Sequence, residues 1–216
     1  MSDLSSARNR MVDAQIARRG VRDRRVLDAM RQVPRECFVV PGLEDRAYED
    51  SPLPIGERQT VSQPFIVALM IEAAKRGDGD RLLDIGTGSG YAAAVASRVA
   101  SQVFTIERYR SLADEARQRF AKLGYANIEV RNGDGTFGWP EAAPFDAILV
   151  AAGGPEIPQP LKDQLAIGGR LVIPVGEEKR PQTLLKITRT GNHEFEEEDL
   201  GPVMFVPLIG EASHNR

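Results

Sequence analysis

Residues 81–91 read RLLDIGTGSGY and predict a buried strand, a glycine turn and the start of a helix. Leu82, Leu83 and Ile85 supply the apolar run of the strand, and the three alternating glycines allow a tight turn and close approach to a ligand. An alanine-rich segment follows at 92–96, and alanine is the strongest helix former. The free N–H groups at the start of this helix would face the turn, so the stretch predicts a ligand site there.

Composition predicts one globular domain spanning residues 1–216. The chain is 42% hydrophobic and carries a net charge of −3, which lacks the overall basic character of a nucleic-acid-binding protein. No stretch approaches the ~18 apolar residues of a transmembrane helix, and the N-terminus lacks the pattern of a signal peptide. We therefore expect a cytoplasmic protein that binds neither nucleic acid nor membranes, and we expect a monomer.

Cys37 is the single cysteine of the chain. One cysteine excludes an intrachain disulfide and a thiolate metal cluster, so we expect no metal, and this cysteine usage is typical of the cytosol. The neighbours of Cys37 are apolar, and they predict a small buried side chain rather than a nucleophile.

Strands and helices alternate after residue 65. Apolar segments predict seven strands, at 82–85, 103–106, 128–131, 147–150, 171–175, 183–188 and 204–207, with helices near 65–75, 90–99, 109–123 and 158–166. This alternation predicts an α/β fold with a doubly wound, mostly parallel seven-strand sheet. No helix separates the last two strands, so they should form an antiparallel C-terminal edge, and the acidic segment 194–199 is interpreted as a solvated loop. Before the sheet, helices are expected at 5–19 and 22–32, followed by an ordered functional loop at 41–64.

Acidic residues follow successive strands at the edge where a doubly wound sheet binds its ligand. Glu107 ends the second predicted strand, 21 residues after Gly86, and an acid at this offset can accept hydrogen bonds from ribose hydroxyls. Asp134 follows the third strand within the sequence NGDG, where it can accept a hydrogen bond from an adenine amino group. With Asp84 before the turn, the set predicts a nucleoside ligand.

The spacing of the glycines separates classes of nucleotide ligand. A dinucleotide fold has a third glycine at the position that Tyr91 occupies here. A phosphate-binding P-loop is excluded, because no Gly-Lys-Ser/Thr follows the turn. The pattern therefore favours a nucleoside without a pyrophosphate, and an NAD-dependent oxidoreductase remains the less favoured alternative.

These features together resemble the class I S-adenosylmethionine-dependent methyltransferases, and more narrowly the protein-L-isoaspartate (D-aspartate) O-methyltransferase family. The glycine turn is shared by many methyltransferases, whereas the segments TVSQP at 60–64 and FVPL at 205–208 are more specific to this family. Further matching segments cover nearly the whole chain, at 33–39, 53–56, 133–135, 143–148, 155–158 and 168–176.

The resemblance implies transfer of a methyl group from S-adenosylmethionine to the free carboxylate of L-isoaspartyl residues in damaged peptides and proteins. It leaves open whether D-aspartyl residues are accepted. It implies that Ser62 and Thr60 lie next to the chemistry, that Glu107 holds the ribose and that Asp134 holds the adenine. The implied cofactor-binding residues are Asp84, Gly86, Thr87, Gly88, Ser89, Gly90, Glu107, Gly133 and Asp134. The implied division is N-terminal helices and active-site loop (1–64), cofactor-binding core (65–176) and C-terminal edge strands (177–216).

The residue inventory agrees with this chemistry. A substrate carboxylate is ionised at pH 7, so the transfer needs orientation rather than a general base. The only histidines, at 193 and 214, lie near the C-terminus, and the absence of a Ser/His or Cys/His pairing argues against a hydrolase. Two alternatives stay open: a methyltransferase of another small-molecule or peptide carboxylate, and a merely structural Ser62 that caps the helix beginning near Phe65. Some relatives have a histidine where this chain has Phe65.

Overall fold

The computed structural model describes residues 4–77, 79–177 and 180–213. The strands in this part of the chain are β1 (Leu53–Pro54), β2 (Thr60–Val61), β3 (Arg81–Ile85), β4 (Gln102–Glu107), β5 (Ile128–Asn132), β6 (Phe145–Val150), β7 (Leu165–Val175), β8 (Gln182–Arg189) and β9 (Phe195–Val203). The α-helices are α1 (Leu4–Arg10), α2 (Arg24–Gln32), α3 (Pro64–Ala74), α4 (Tyr91–Ala96), α5 (Arg110–Leu123) and α6 (Gln159–Asp163).

Seven of the strands form one sheet in the order β5-β4-β3-β6-β7-β8-β9. The pairs from β5 to β7 are parallel, and β8 and β9 add the antiparallel edge. The predicted fold class is therefore confirmed. The chain runs outward from β3 to β5 and then returns to β6 on the other side of β3, so the strand order reverses between β3 and β6. A doubly wound sheet binds its ligand at this reversal, beyond the carboxyl ends of the strands.

The N-terminal helices pack on α3 and α4, which in turn contact the strands of the sheet. Asp23 caps α2 by accepting hydrogen bonds from the backbone N–H groups of Arg25 and Val26. α2 packs against α3 and α4, and its buried Val26, Ala29 and Met30 join the same apolar core as Tyr91. The segment predicted as one helix at 5–19 consists of α1, a π-helical turn at Met11–Ile16 and a 3₁₀ turn at Ala17–Arg19.

The prediction of a last strand at 204–207 is wrong. The edge strand is β9, which contains most of the acidic segment at 194–199 for which the sequence predicts a loop. Acidic side chains are tolerated here because they face water on an edge strand, and Lys186 of β8 pairs with Glu198. Residues 204–208 instead turn back over the sheet, where the Gly153 N–H donates to the Val206 carbonyl and the Leu208 N–H to the Gly153 carbonyl.

Two smaller expectations also change, and the order expected at 41–64 is confirmed. The helix predicted at 158–166 is the short α6, because Leu165 already begins β7 and pairs with Phe145. Cys37 is exposed rather than buried, since its 3₁₀ turn directs the neighbouring Arg35 and Phe38 inward. The loop at 41–64 is ordered and contains the β1–β2 hairpin. Within the described ranges, no helix has both the length and the apolar content needed to cross a membrane.

Candidate active site

A pocket lies at the carboxyl ends of β3, β4 and β6, where the strand order reverses. Its wall combines five segments, at 59–62, 85–89, 106–109, 151–152 and 206–209, together with Val67, Tyr91, Ala92 and Gly135. The pocket thus brings the glycine turn, the end of β4 and the loop that precedes α3 into one cavity. Thr60, Ser62, Gly86, Thr87, Gly88, Ser89 and Glu107 are the predicted site residues in its wall.

The glycine turn requires its glycines for conformation and for space. Gly86, Gly88 and Gly90 have φ values of +95°, +53° and +92°, which side-chain-bearing residues rarely adopt. A Cβ atom on Gly90 would lie 2.6 Å from the Cζ atom of Phe120 on α5. The turn therefore packs directly against α5, and α4 begins at the next residue.

Glu107 is fixed at the end of β4 by two backbone donors. The Gly88 N–H donates to Oε2 over 2.8 Å, and the Tyr109 N–H donates to Oε1 over 2.9 Å. The residue is only 5% exposed, yet it lines the pocket. Each carboxylate oxygen keeps capacity for a further hydrogen bond, so the group can accept donors from a bound ligand.

Asp84 lies behind the pocket wall rather than in it. It is 1% exposed, and the Thr105 hydroxyl donates to its Oδ2 over 2.7 Å. The same hydroxyl lies 2.6 Å from that of Thr87 in the turn. Burial, with a smaller contribution from the nearby charge of Glu107, raises the pKa of Asp84 to about 7 against the lowering effect of the Thr105 hydrogen bond.

We expect Asp84→Asn to remove a pH dependence of stability. The pKa of Asp84 in the folded protein is about 7, above the value near 3.9 for an unfolded chain. The folded state thus retains a proton that the unfolded state loses, and the stability present at low pH is lost as pH rises toward 7. Relative to wild type, the variant should gain about 2 kcal/mol of unfolding free energy between pH 5.0 and 6.5.

Urea denaturation of both proteins at the two pH values measures this difference. Asp28→Asn, at an exposed position on α2, is the matched control and should show no comparable change. A constant difference between wild type and Asp84→Asn would contradict the prediction.

Asp134 lies beside the pocket but not in its wall. Its Oδ1 accepts the Thr136 N–H over 2.8 Å and the Thr136 hydroxyl over 2.7 Å, and its Oδ2 accepts the Glu211 N–H over 2.8 Å. Gly135 reaches the wall instead, and a Cβ atom there would lie 2.4 Å from Ile85. Asp134 therefore ties the C-terminal segment to the end of β5, and its contact with an adenine stays a prediction. Gly133 and Gly90 also lie outside the wall.

Ser62 and Thr60 enter the pocket from the loop that precedes α3. Ser62 is half-buried, and its carbonyl accepts a hydrogen bond from Nη2 of Arg35 over 2.9 Å. The N-cap of α3 is Gln63, and among the described residues no side chain forms a capping hydrogen bond to this helix. The interpretation of Ser62 as a helix cap is therefore wrong, and its hydroxyl is available for a ligand.

Ser89 supplies independent evidence for a polar ligand. It is 6% exposed and lies in the pocket wall. Its Oγ has no hydrogen-bond partner among the described residues, and buried hydroxyls of this kind are nearly always paired in folded proteins. The residues present thus fit a nucleoside with polar substituents, as S-adenosylmethionine is.

Several residues of the pocket wall have no sequence signal that predicts a contact with a ligand. Tyr109 and Ile209 are examples. Ile209 lies in the pocket wall because residues 206–209 run beside Gly153. The side-chain amide of Gln182 secures that segment by bonding both the N–H and the carbonyl of Phe205. These contacts join positions far apart in sequence, and no local pattern indicates them.

Comparisons with known proteins agree on one family. The model of the family Protein-L-isoaspartate(D-aspartate) O-methyltransferase matches residues 6–213. The chain is 57% identical over 210 residues to Protein-L-isoaspartate O-methyltransferase of Brucella anthropi, covering 97% of this chain and 96% of that protein.

Solved structures give the same result. A structure of a protein-L-isoaspartate O-methyltransferase matches with a TM-score of 0.86 and 30% identity, over 95% of this chain and 67% of that one. A Plasmodium falciparum protein described as a protein-L-isoaspartate O-methyltransferase, solved with S-adenosyl-L-homocysteine, matches with a TM-score of 0.77 and 28% identity, over 94% and 98% of the two chains. This chain therefore belongs to the protein-L-isoaspartate(D-aspartate) O-methyltransferase family.

Proposed function

We propose that this protein transfers the methyl group of S-adenosylmethionine to the free carboxylate of L-isoaspartyl residues in damaged peptides and proteins. One observation of the structure carries the proposal: Ser62 and Thr60 share a pocket with the glycine turn and Glu107. Family membership over residues 6–213 supports the same substrate. The relative from Plasmodium falciparum, solved with S-adenosyl-L-homocysteine, supports the nature of the methyl donor.

The residues of the pocket have separate tasks in this reaction. S-adenosylmethionine supplies an activated methyl group on a sulfonium. Glu107 accepts hydrogen bonds from the ribose hydroxyls, and Ser89 Oγ gains the partner that it lacks. The Ser62 hydroxyl donates to the substrate carboxylate and directs one of its oxygens toward the methyl group, with Thr60 beside it. Asp84, Gly90, Gly133 and Asp134 support this site from outside the wall.

The substrate carboxylate needs orientation and little else. It is ionised near pH 7 and is itself the nucleophile, so no base has to remove a proton. Ile85, Ile106, Val67 and Leu208 make much of the wall apolar and limit access of water. In such surroundings, a hydrogen bond from Ser62 is worth more than in bulk water.

The decisive experiment offers methyl-labelled S-adenosylmethionine with an isoaspartyl peptide and with its aspartyl twin. We expect base-labile label on the isoaspartyl peptide alone, because a carboxyl methyl ester is hydrolysed by base. Equal labelling of both peptides would favour a methyltransferase of another carboxylate, and labelling of neither would contradict the proposal.

We expect Ser62→Ala to lower kcat for the isoaspartyl peptide about tenfold to hundredfold, since a hydrogen bond to a charged group contributes about 1.5–3 kcal/mol. The affinity for S-adenosylhomocysteine should change less than threefold, because the Ser62 hydroxyl is proposed to contact the substrate. Initial rates and calorimetric titration measure the two quantities. Ser101→Ala, at the opposite end of the strands, is the control and should retain full activity. A comparable loss of cofactor affinity in Ser62→Ala would contradict the assigned role.

We further propose that the enzyme works as a monomer in the cytoplasm and binds neither nucleic acid nor membranes. The net charge of −3 supports the absence of nucleic-acid binding, and the single cysteine supports the cytoplasmic location. Light scattering coupled to size-exclusion chromatography should give the 23.7 kDa mass of one chain. A mass twice as large would contradict the monomer.

A further inference from the structure

The segment at 33–39 matches the family, yet the proposed reaction gives it no task. Arg35 lies in this segment, on a 3₁₀ turn between α2 and the loop that leads to the pocket. It is 0% exposed, although arginine is almost never fully buried unless it is paired. This burial calls for a specific explanation.

The guanidinium of Arg35 bridges three parts of the molecule. Nε donates to the Ala47 carbonyl over 2.8 Å, and Nη2 donates to the Ser62 carbonyl over 2.9 Å. Its central carbon lies 4.6 Å from the centroid of the Tyr91 ring, a stacking distance for guanidinium on an aromatic ring. Tyr91 follows the glycine turn and lines the pocket. Arg35 therefore connects the Ser62 backbone to the first residue of α4.

The charge of Arg35 has no carboxylate partner among the described residues. Glu36, its neighbour, pairs with Arg8 instead. Nη1 of Arg35 has no hydrogen-bond partner in the same part of the chain, and burial lowers the pKa of the guanidinium. An unpaired buried cation is costly, so a purely structural bridge would be better made by an uncharged residue. A negative charge bound near Ser62 would offset this cost.

We infer that Arg35 is a positioning residue for methyl transfer: it holds the Ser62 backbone against Tyr91 and favours a carboxylate bound beside Ser62. This inference rests on the proposed function, because it takes the anion to be the isoaspartyl carboxylate. The planar fork of arginine makes the two carbonyl contacts at once, and lysine cannot reproduce them. The positive charge acts on the substrate carboxylate through a buried region, where screening by solvent is weak.

Arg35→Lys and Arg35→Gln test the two parts of this role. Lysine keeps the charge and loses the fork, so kcat/KM for the isoaspartyl peptide should fall about tenfold. Glutamine loses both, so the fall should be at least a hundredfold. The affinity for S-adenosylhomocysteine should change less than threefold in both variants, because neither Glu107 nor the glycine turn at 86–90 is among the contacts of the guanidinium, which are Ala47, Ser62 and the Tyr91 ring. Rates are expressed per S-adenosylhomocysteine site counted by calorimetry, so partial unfolding does not appear as lost turnover.

Arg189→Lys is the matched control. Arg189 also donates to backbone carbonyls, those of Leu165 and Gly191, but it lies at the far end of β8. This variant should lose thermal stability and keep its kcat/KM per site.

Each outcome bears on the inference. Unchanged kcat/KM per site in the Arg35 variants would overturn it, as would a loss that parallels the loss of cofactor affinity. Failure of both variants to fold and bind S-adenosylhomocysteine would assign Arg35 to stability alone and would also overturn it. Wild-type protein without activity on the isoaspartyl peptide would instead overturn the proposed function, so the two failures are distinguishable.

Discussion

Gly90→Ala is expected to lower the free energy of unfolding by about 2–5 kcal/mol. Its φ of +92° is unfavourable for alanine, at a cost of about 1–2 kcal/mol. The new methyl group would also lie 2.6 Å from Cζ and 2.9 Å from Cε1 of Phe120. Because Phe120 is buried against Tyr125 and the α5 core, relief of this overlap requires shifts that cost about 1–3 kcal/mol more.

Gly124→Ala separates the two contributions. Gly124 has a similar φ of +74°, but within the part of the chain that the structure describes no heavy atom lies within 4 Å of its Cβ position. This control should lose only about 1–2 kcal/mol, as expected from the backbone conformation alone. Urea denaturation measures both variants, and equal losses would contradict the packing argument.

A double-mutant cycle locates the overlap. Phe120→Leu removes the ring atoms that the Gly90→Ala methyl group meets, so the double variant should be more stable than the sum of the two single losses predicts. Gly90→Ala should also weaken binding of S-adenosylhomocysteine, because a shift of the turn moves Gly88 away from Glu107. Additive losses would show that the strain has another source.

The central strands could be predicted because their pattern is local. β3, β4 and β6 are buried on both faces, and strands of this kind read as short apolar runs. Their alternation with helices determines the parallel arrangement through the handedness of the crossovers. The position of Glu107 at the pocket follows from the same rule, since every parallel strand delivers its last residue to one edge.

The C-terminal edge could not be predicted in this way. β9 contains four consecutive acidic residues and lacks a strand-like apolar pattern. Among the described strands it pairs only with β8 at the edge of the sheet, and its side chains are largely exposed, so the strand does not need apolar residues. The apolar residues Val206 and Leu208 are explained by their contacts with the pocket and the core rather than by membership of a strand. An apolar run shows that a segment is buried and does not show what it pairs with.

The site was predictable where backbone geometry dictates it and unpredictable where distant contacts do. The glycine turn and Glu107 follow from a strand–turn–helix unit. The hydrogen bond between Asp134 and Glu211 joins residues 77 positions apart, and the hydrogen bond between Arg35 and Ser62 joins residues 27 positions apart. These contacts form only when the N-terminal and C-terminal segments have packed on the sheet.

Glu107→Ala is expected to weaken binding of S-adenosylhomocysteine by at least a hundredfold. The carboxylate is proposed to accept hydrogen bonds from the ribose hydroxyls, and each such bond to a charged acceptor contributes about 1.5–3 kcal/mol. The variant also leaves the N–H groups of Gly88 and Tyr109 without their acceptor, so the turn loses its fixed conformation. Isothermal titration calorimetry measures the loss directly.

Glu107→Gln and Glu129→Ala distinguish hydrogen bonding from charge. Glutamine keeps one acceptor oxygen, but its NH₂ group cannot accept a hydrogen bond from the second N–H donor. We therefore expect a smaller loss of affinity for S-adenosylhomocysteine, about tenfold. Glu129 is exposed on the neighbouring strand β5, and Glu129→Ala changes the net charge by the same amount as Glu107→Ala. This variant should bind S-adenosylhomocysteine like wild type. If Glu129→Ala weakened binding as much as Glu107→Ala, the general field of the protein would account for affinity. If only Glu107→Ala weakens it, the acceptor at the end of β4 is what selects a ligand with ribose hydroxyls.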